Sequence, residues 1–303
     1  MPKYVPPRPR PWSGDEMFLS KIIQVMFSTL KATDNKILQY RSNWVVDPTT
    51  GEYTATVKSP TNIASDPALA SYGVQQAEQL ATHLLSVDPS VDLVYSSPFY
   101  RCLQTLLPTT NGLVERQKQS GKGQVKVNVE PGLGEFYGLA RFDHPSPASM
   151  QVLHTHFEHL ASEPEPILVP STKGESTPQL HDRLAYTLHH LIARADADPS
   201  GPRSLLICTH AAAMISIGRA LTGKMPEDER DDDFNCFTCS FSRFERRQGG
   251  EAEALDGQQD WKTSDADHIP NIGWRGGKGV QGGWDCIVNG DCSFLAGGPE
   301  RGW

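Results

Sequence analysis

Two residues stand where a predicted buried strand gives way to a helix, and both have side chains suited to binding an anion. Arg101 lies one turn into the helix that follows "VDLVYSS", and His210 follows "LLICT" and opens the segment "AAAMISIGRALTG". The start of a helix gathers backbone N–H groups and a positive dipole, and a guanidinium adds charge-assisted hydrogen bonds. The two junctions together predict an anion site of the phosphate type. Taken singly, each residue also fits a surface arginine or a helix-capping histidine.

The elements that must position these residues alternate between strands and helices. Apolar residues at helical spacing predict a helix in "ALASYGVQQAEQLATHLL", and a second helix is predicted to start at Pro98. Three further helices are predicted in "SPASMQVLHTHFEHLA", "TPQLHDRLAYTLHHLIARADA" and "AAAMISIGRALTG". Apolar or alternating runs predict strands at "VDLVYSS", "VKVNVE", "RSLLICT" and "FNCFTCSFSRFERR". This alternation indicates an α/β sheet, largely parallel and covered on both faces, with ligands at the carboxyl ends of its strands.

Three segments are less regular. Residues 1–14 are rich in proline and are expected to be extended or disordered, while "FLSKIIQVMFSTLK" fits a short helix and a strand equally well. The glycine-rich segment near 248–283 predicts a surface loop or insertion that contributes little to the core. Trp274 lies within this segment, and Trp284 and Trp303 follow it. These tryptophans would either anchor the loop to the rest of the protein or contact a partner.

The composition narrows the class of protein. The 303 residues allow one large domain, or one domain with extensions, and the net charge of −8 argues against broad nucleic-acid binding. No apolar run approaches the roughly 20 residues of a membrane span, and no signal peptide is evident. Six cysteines are too few for a disulfide scaffold, so reduced, buried thiols are expected in a cytoplasmic or nuclear protein. The C-x-x-C pair Cys236 and Cys239 is interpreted in the same way, and not as a zinc site.

Several motifs carry a family resemblance. "SSPFYRCLQT" resembles the second phosphate-binding arginine motif of the histidine phosphatase superfamily, which has the phosphoglycerate-mutase-like fold. "LLICTHAAAM" resembles the segment with that superfamily's second catalytic histidine, and "GLGEFYG" the segment with its acidic proton donor. The resemblance runs from Arg41 to about Arg246 with the motifs in the expected order. It implies an α/β three-layer sandwich with a mostly parallel sheet.

The resemblance also implies roles for individual residues. His210 and Glu135 would be catalytic, Arg101 would bind phosphate, and Arg41 would be a further phosphate contact at the rim. In the superfamily a first histidine attacks phosphorus, arginines and the second histidine stabilise the charge on oxygen, and the carboxylic acid protonates the leaving alcohol. No metal or cofactor is implied. Substrate specificity would lie in loops such as residues 138–148.

One part of the family pattern is missing. Aligning "YRSNW" with the family places Ile37, Leu38 and Gln39 where Arg, His and Gly belong. Leucine cannot be phosphorylated, and losing a covalent nucleophile costs roughly 10⁴- to 10⁶-fold in turnover. Two explanations stay open: evolutionary loss, or an upstream segment that does not belong to the domain. We therefore predict an atypical N-terminal extension over residues 1–40, disordered or mis-translated, and a histidine-phosphatase-like domain over residues 41–303.

Finer similarities point to a subgroup. "RSNWVVDP", "GEFYGLARFDHPSPA" and "NGDCSFLAGGPERGW" resemble a fungal subgroup related to the phosphatase-like domain of the smallest tau subunit of the RNA polymerase III factor TFIIIC. Two functions follow as expectations. The first is hydrolysis of a phosphomonoester, on a phosphorylated small molecule or a phosphoprotein. The second is a non-catalytic subunit or scaffold that contacts other subunits of a transcription complex. Neither implies direct nucleic-acid or membrane binding.

Overall fold

The computed structural model describes residues 22–27, 44–120, 125–162, 165–228, 230–231, 233–249, 260–263 and 268–300. Its strands are β1 (Ile22–Phe27), β2 (Trp44–Val46), β3 (Tyr53–Ala55), β4 (Leu93–Ser96), β5 (Val127–Val129), β6 (Ser204–Thr209), β7 (Phe241–Arg246) and β8 (Trp284–Asp291). Its α-helices are α1 (Ser71–Leu84), α2 (Tyr100–Ser120), α3 (Met150–His154), α4 (Thr177–Ala197) and α5 (Ala211–Thr222).

Six strands form the central sheet, in the order β5-β4-β6-β1-β7-β8. The first four in this order run parallel, and β7 and β8 add an antiparallel edge. Strands β2 and β3 make a separate antiparallel pair. The mostly parallel sheet predicted from the alternation of elements is therefore confirmed.

Strand β1 is the part of the fold that sequence patterns did not resolve. It pairs in parallel with β6 on one side and antiparallel with β7 on the other, so the ambiguous segment "FLSKIIQVMFSTLK" contains a central strand. This differs from the predicted extension over residues 1–40, because β1 lies on the N-terminal side of the boundary at residue 41 and still belongs to the sheet. The remaining residues of that extension lie outside the described residues.

The core lies on both faces of the sheet, as expected for three layers. Strand β6 shows this in its alternation: Leu205 and Ile207 join one cluster of buried side chains, and Leu206 and Cys208 join another. The first cluster is built mainly from α4 and α5, and the second from α1 and α2. Every residue of β6 is buried, as in a parallel strand covered by helices on both sides.

Two predicted helices differ in extent. The helix predicted from Pro98 begins at Tyr100, and it continues to Ser120. The helix predicted over "SPASMQVLHTHFEHLA" ends at His154. After His154 the chain pairs with β5 at the edge of the sheet. The Val127 N–H donates to the carbonyl of His159, and Leu160 forms a β-bridge with Val127. Tertiary pairing with β5 thus overrides the local helical pattern.

The glycine-rich segment contributes more to the core than predicted. Ile272, Trp274 and Val280 are buried against the cluster formed by α4 and α5, so the expectation of a poor core contribution is wrong for the described residues from 268 onward. Gly279 explains how the chain reaches this position. Its φ is 72°, and a Cβ there would lie 2.2 Å from the carbonyl oxygen of Leu221, so only glycine allows the approach.

The predicted strand "FNCFTCSFSRFERR" also begins late, at Phe241. Cys236 and Cys239 precede it and are buried, with exposed fractions of 1% and 2%.

Among the described helices, none combines the length and apolar character needed to cross a membrane.

Candidate functional site

Arg101 and His210 meet at the carboxyl edge of the sheet. His210 directly follows β6 and precedes the first residue of α5, while Arg101 is the second residue of α2, a few residues after β4. Strands β4 and β6 are parallel neighbours, with Ser96 opposite Cys208, so the residues after them emerge side by side. Arg101 Nη2 lies 3.0 Å from His210 Nδ1, and both side chains are buried.

Glu135 completes this cluster. Its Oε2 accepts from Arg101 Nη2 at 2.7 Å and lies 3.1 Å from His210 Nδ1. The Glu135 side chain is 27% exposed, so the cluster has one side open to solvent. Three residues chosen from sequence thus lie within hydrogen-bond distance of one another, although their catalytic and phosphate-binding roles stay predictions.

The electrostatics of the cluster are those of a buried ion pair. Burial lowers the pKa of His210, but the negative charges of Cys102 and Glu135 outweigh burial and raise this pKa to about 9. Burial raises the pKa of Glu135, but the positive charges of His210 and Arg101 lower it to about 2. At neutral pH the cluster therefore holds an imidazolium and a guanidinium beside the Glu135 carboxylate and Cys102, whose pKa burial raises but hydrogen bonding to Cys208 and the positive charges of His210 and Arg101 lower. The protonated ring donates from Nδ1 to Glu135 and from Nε2 to Ser97 Oγ at 2.7 Å.

Asp66 holds Arg101 from the opposite side, and sequence analysis did not find it. Its Oδ1 accepts from Arg101 Nη1 at 3.3 Å, and its Oδ2 accepts from the backbone N–H of Tyr100 at 2.8 Å. The Ser65 carbonyl accepts from Arg101 Nη1 as well, at 3.2 Å. Asp66 is buried and lies in a loop with no periodic pattern, so its spacing gives no signal. Ser97, also missed, does have a signal, because it directly follows the apolar strand β4.

A second buried arginine fixes the turn that carries Glu135. Arg183 on α4 donates to the carbonyls of Gly132 at 2.8 Å and Gly134 at 3.1 Å, and pairs with the Glu175 carboxylate at 2.5 Å. A Cβ at Gly132 would lie 2.3 Å from Thr187 Oγ1, so the "GLG" turn can approach α4 only without a side chain there. The turn is therefore held by α4, and Glu135 is positioned by a rigid element.

The first motif of the family pattern lies outside the residues that the structure describes. This holds for Ile37 to Gln39, which align with the missing triplet, and for Arg41. Strand β1 ends at Phe27, opposite Thr209, so it reaches the same sheet edge as His210. The sequence contains no histidine before His83, which lies on α1 and stacks on Phe294 with ring centroids 4.4 Å apart.

His144 is another histidine near Glu135, and both of its nitrogens are engaged. Nε2 lies 2.8 Å from the carbonyl of Gly138 and therefore donates to it, while Nδ1 lies 2.6 Å from the Tyr53 hydroxyl and accepts from it in the neutral ring. The ring stacks on Tyr137 at 4.7 Å. Neither nitrogen is available to attack phosphorus without breaking a hydrogen bond.

Comparisons with known proteins identify the family of this chain. The model of the family described as "Histidine phosphatase superfamily (branch 1)" matches residues 51–256. The transcription factor tau 55 kDa subunit of Saccharomyces cerevisiae is 31% identical over 270 residues, covering 87% of this chain and 56% of the yeast protein. Ecdysteroid-phosphate phosphatase of Drosophila melanogaster is 29% identical over 178 residues, covering 57% of this chain and 22% of that protein. The chain thus spans only about half, or less, of these relatives.

Among solved structures, ecdysone phosphate phosphatase from Bombix mori in complex with tungstate is 16% identical and has a TM-score of 0.54, covering 80% of this chain and 98% of that one. At this identity the likeness establishes the fold alone. The family match covers more than half of the sequence, including the positions of Arg101, Glu135 and His210. The chain therefore belongs to the histidine phosphatase superfamily, branch 1.

Proposed function

We propose that this chain binds the phosphate group of a phosphomonoester between Arg101, His210 and Glu135. One observation carries the proposal: a guanidinium and an imidazolium converge on a single carboxylate oxygen, Glu135 Oε2, from 2.7 Å and 3.1 Å. A phosphate oxygen has a comparable charge and accepts the same hydrogen bonds, so it can replace the carboxylate as their acceptor. Arg41 is proposed as a further phosphate contact.

Within this proposal Glu135 changes its role when phosphate binds. A bound phosphate takes over hydrogen bonds from Arg101 and His210, which now hold the Glu135 pKa low. Freed of these donors and placed beside an anion, the carboxyl group binds a proton more readily. It is then suited to protonate the leaving alcohol, the acid role predicted for it from sequence.

The proposed turnover is slow. The family route needs a histidine that accepts the phosphoryl group, and residues 1–82 contain none. His210 is already occupied as a charged hydrogen-bond donor, and His144 is engaged at both nitrogens. Turnover is therefore expected to be lower than that of a phosphohistidine enzyme by roughly 10⁴- to 10⁶-fold.

The test measures binding and turnover separately. Binding of phosphate and of vanadate to the full chain is followed by calorimetry, and phosphate release from a chromogenic phosphomonoester is followed by absorbance. His210→Ala is expected to weaken phosphate binding about tenfold or more, because a charged donor is lost. His154→Ala, an exposed histidine on α3, is the control and is expected to leave binding unchanged.

Two results would count against this function. A folded protein that binds neither phosphate nor vanadate would exclude the anion site. Efficient turnover that is abolished by His210→Ala would keep the site but contradict slow catalysis, and would require another nucleophile in place of the missing histidine.

A second function is favoured by the yeast relative. The similarity to the yeast protein extends over 87% of this chain, so it is not confined to the residues of the candidate site. We therefore also propose that the chain lies in the nucleus and contacts other subunits of a transcription complex, and that a phosphoprotein supplies the phosphate group it binds. Affinity purification of the tagged chain followed by mass spectrometry should recover TFIIIC subunits. Their absence, with a tagged yeast subunit as positive control, would contradict this second function.

A further inference from the structure

A cavity of about 240 Å³ lies next to the proposed phosphate site. Its walls come from Pro98 and Phe99 just before α2, from the turn at residues 131–137, and from the loops at residues 144–147 and 169–172. Glu135 lines this cavity and also contacts both Arg101 and His210. A phosphate held by those two residues would therefore have its ester oxygen within reach of the cavity.

The described wall of the cavity offers few groups to a polar ligand. Five of its residues are prolines, which have no backbone N–H: Pro98, Pro131, Pro145, Pro147 and Pro170. Phe99 and Val169 add apolar surface. Among the described lining residues Glu135 is the one acidic side chain, and neither lysine nor arginine occurs. A carboxylate or a second phosphate placed here would meet no cation from this wall.

Several polar atoms of the wall are already used within the protein. The Tyr137 hydroxyl donates to Ser65 Oγ at 3.1 Å, and the Thr172 hydroxyl donates to Asp143 at 2.6 Å. Both nitrogens of His144 are bonded as described above. Ser146 and Ser171 are further hydroxyl groups of the wall, and the Ser171 hydroxyl accepts from the backbone N–H of Lys173 at 3.3 Å. A sugar in this cavity would give up hydrogen bonds with water and regain fewer from these residues, which is costly for a polyhydroxylated ligand.

The size and the walls of the cavity fit a ring. An apolar cavity of about 150 Å³ is enough to bind benzene. The stacked pair of Tyr137 and His144, at 4.7 Å and 14° between planes, supplies a flat and well-supported part of the wall. Tyr53 braces this pair from the β2–β3 hairpin, with its ring edge-on to Tyr137 at 6.4 Å.

We infer that this cavity receives the leaving group of a phosphomonoester and selects esters of apolar, ring-sized alcohols over those of charged or polyhydroxylated ones. The inference rests on the proposed function, since it requires phosphate to bind at Arg101 and His210. It names the substrate class for that site, and it places the selection in the turn at residues 131–137 and the loops at residues 144–147 and 169–172.

The experiment uses phosphonates, which cannot be hydrolysed, so that slow turnover does not matter. Calorimetry compares benzylphosphonate with methylphosphonate, 3-phosphonopropionate and inorganic phosphate on the full chain. Burial of a ring predicts that benzylphosphonate binds about tenfold or more tightly than methylphosphonate. The added carboxylate of 3-phosphonopropionate should give no gain over methylphosphonate.

A pair of matched variants localises the effect. Val169 and Val152 are both 38% exposed, but only Val169 belongs to the cavity wall. Val169→Gln introduces a polar side chain there and should remove most of the preference for benzylphosphonate, while inorganic phosphate binds as before. Val152→Gln on α3 should change neither affinity.

Each outcome separates this inference from the proposed function. Equal binding of benzylphosphonate and methylphosphonate, with phosphate still bound, overturns the selection of apolar leaving groups and leaves the phosphate site intact. A preference for benzylphosphonate that survives Val169→Gln overturns the cavity as its source. Failure of every phosphonate and of phosphate to bind overturns the function and the inference together.

Discussion

Glu135 Oε2 is the atom on which the charges of the site converge. It is the acceptor for two cationic side chains, Arg101 at the start of α2 and His210 just before α5. The carboxylate neutralises part of their charge, as Asp66 does for Arg101 from the opposite side, which keeps these buried cations compatible with the folded state. The same residue therefore serves the stability of the protein and, in the proposed function, the chemistry.

This arrangement predicts a pH window for stability. The folded pKa of Glu135, about 2, lies below its usual 4.5, so its contribution is present above pH 4.5 and is lost as the pH falls towards 2. The folded pKa of His210, about 9, lies above its usual 6.5, so its contribution is complete below pH 6.5 and is lost as the pH rises through 9. Both contributions are complete between pH 4.5 and 6.5.

Glu135→Gln should therefore reduce the free energy of unfolding, relative to wild type, most strongly within that window. The difference should shrink towards lower and higher pH. Urea unfolding of both proteins across the pH range measures this difference. Glu158→Gln, at an exposed position, serves as the control. A difference for Glu135→Gln that stays constant with pH would show that the two groups are not coupled as described.

Arg101 and His210 could be predicted from local pattern, because each stands at a strand-to-helix junction and has a signal within a few neighbours. Glu135 was predicted through the resemblance of "GLGEFYG" to the family. Asp66 and Arg183 have no such signal. Their roles depend on contacts with residues far away in the sequence, and read locally they resemble ordinary surface side chains.

At the scale of elements, α4 supports the site through one side chain. Arg183 has no exposed surface, and it joins the turn of Glu135 to Glu175 at the start of the helix. Helix α4 itself was predicted with its observed ends from its amphipathic pattern, and in the structure a capping box at Ser176 and Gln179 opens it. Helix α4, which has a strong local sequence signal, therefore contains a residue, Arg183, whose supporting role has no sequence signal of its own.

Replacing Arg183 by Met should destabilise the protein by roughly 3–5 kcal/mol, since it leaves the Glu175 carboxylate and two carbonyls buried without their partner. Urea unfolding measures this loss. Phosphate binding should weaken as well, because the turn of Glu135 loses its support. Arg230→Met is the control: Arg230 pairs with Asp228 in the same way but is 89% exposed, and its loss should change little. Equal effects of the two substitutions would contradict the supporting role of Arg183.

The elements that sequence analysis misplaced have a common cause. The segment after α3 has a helical pattern but pairs with β5, and the glycine-rich segment contributes Trp274 to the core. Five of the six residues of β1 are apolar and they follow one another without a clear alternation, so their periodicity did not distinguish a helix from a strand. In each case a partner distant in sequence decides the structure, and a local pattern carries no information about that partner.

At the scale of the whole molecule, β1 connects the two parts of the sheet. It lies between the parallel strands, which end at the site, and the antiparallel edge formed by β7 and β8. Without it, β6 and β7 would each present an unpaired edge in the middle of the sheet. The domain boundary predicted at residue 41 would leave the sheet in this state.

Deleting residues 1–40 is therefore expected to abolish cooperative unfolding, because the central strand is lost. Circular dichroism during urea titration measures cooperativity, and size-exclusion chromatography reports association through the exposed edges. Deleting residues 1–14 spares β1 and is the control, expected to leave cooperative unfolding in place. A sharp unfolding transition in the protein without residues 1–40 would show that β1 is dispensable.

The position of β1 also sets an order of events during synthesis on the ribosome. Its six residues emerge before the strands on its two sides, which end at Thr209 and Arg246. The middle of the sheet therefore stays open until both of those strands have been translated. Pairing over such a separation is slow, and an apolar strand waiting for its neighbours is exposed to aggregation in the meantime. A chaperone that shields the nascent N-terminal segment should therefore raise the yield of folded protein more than one that acts after chain release.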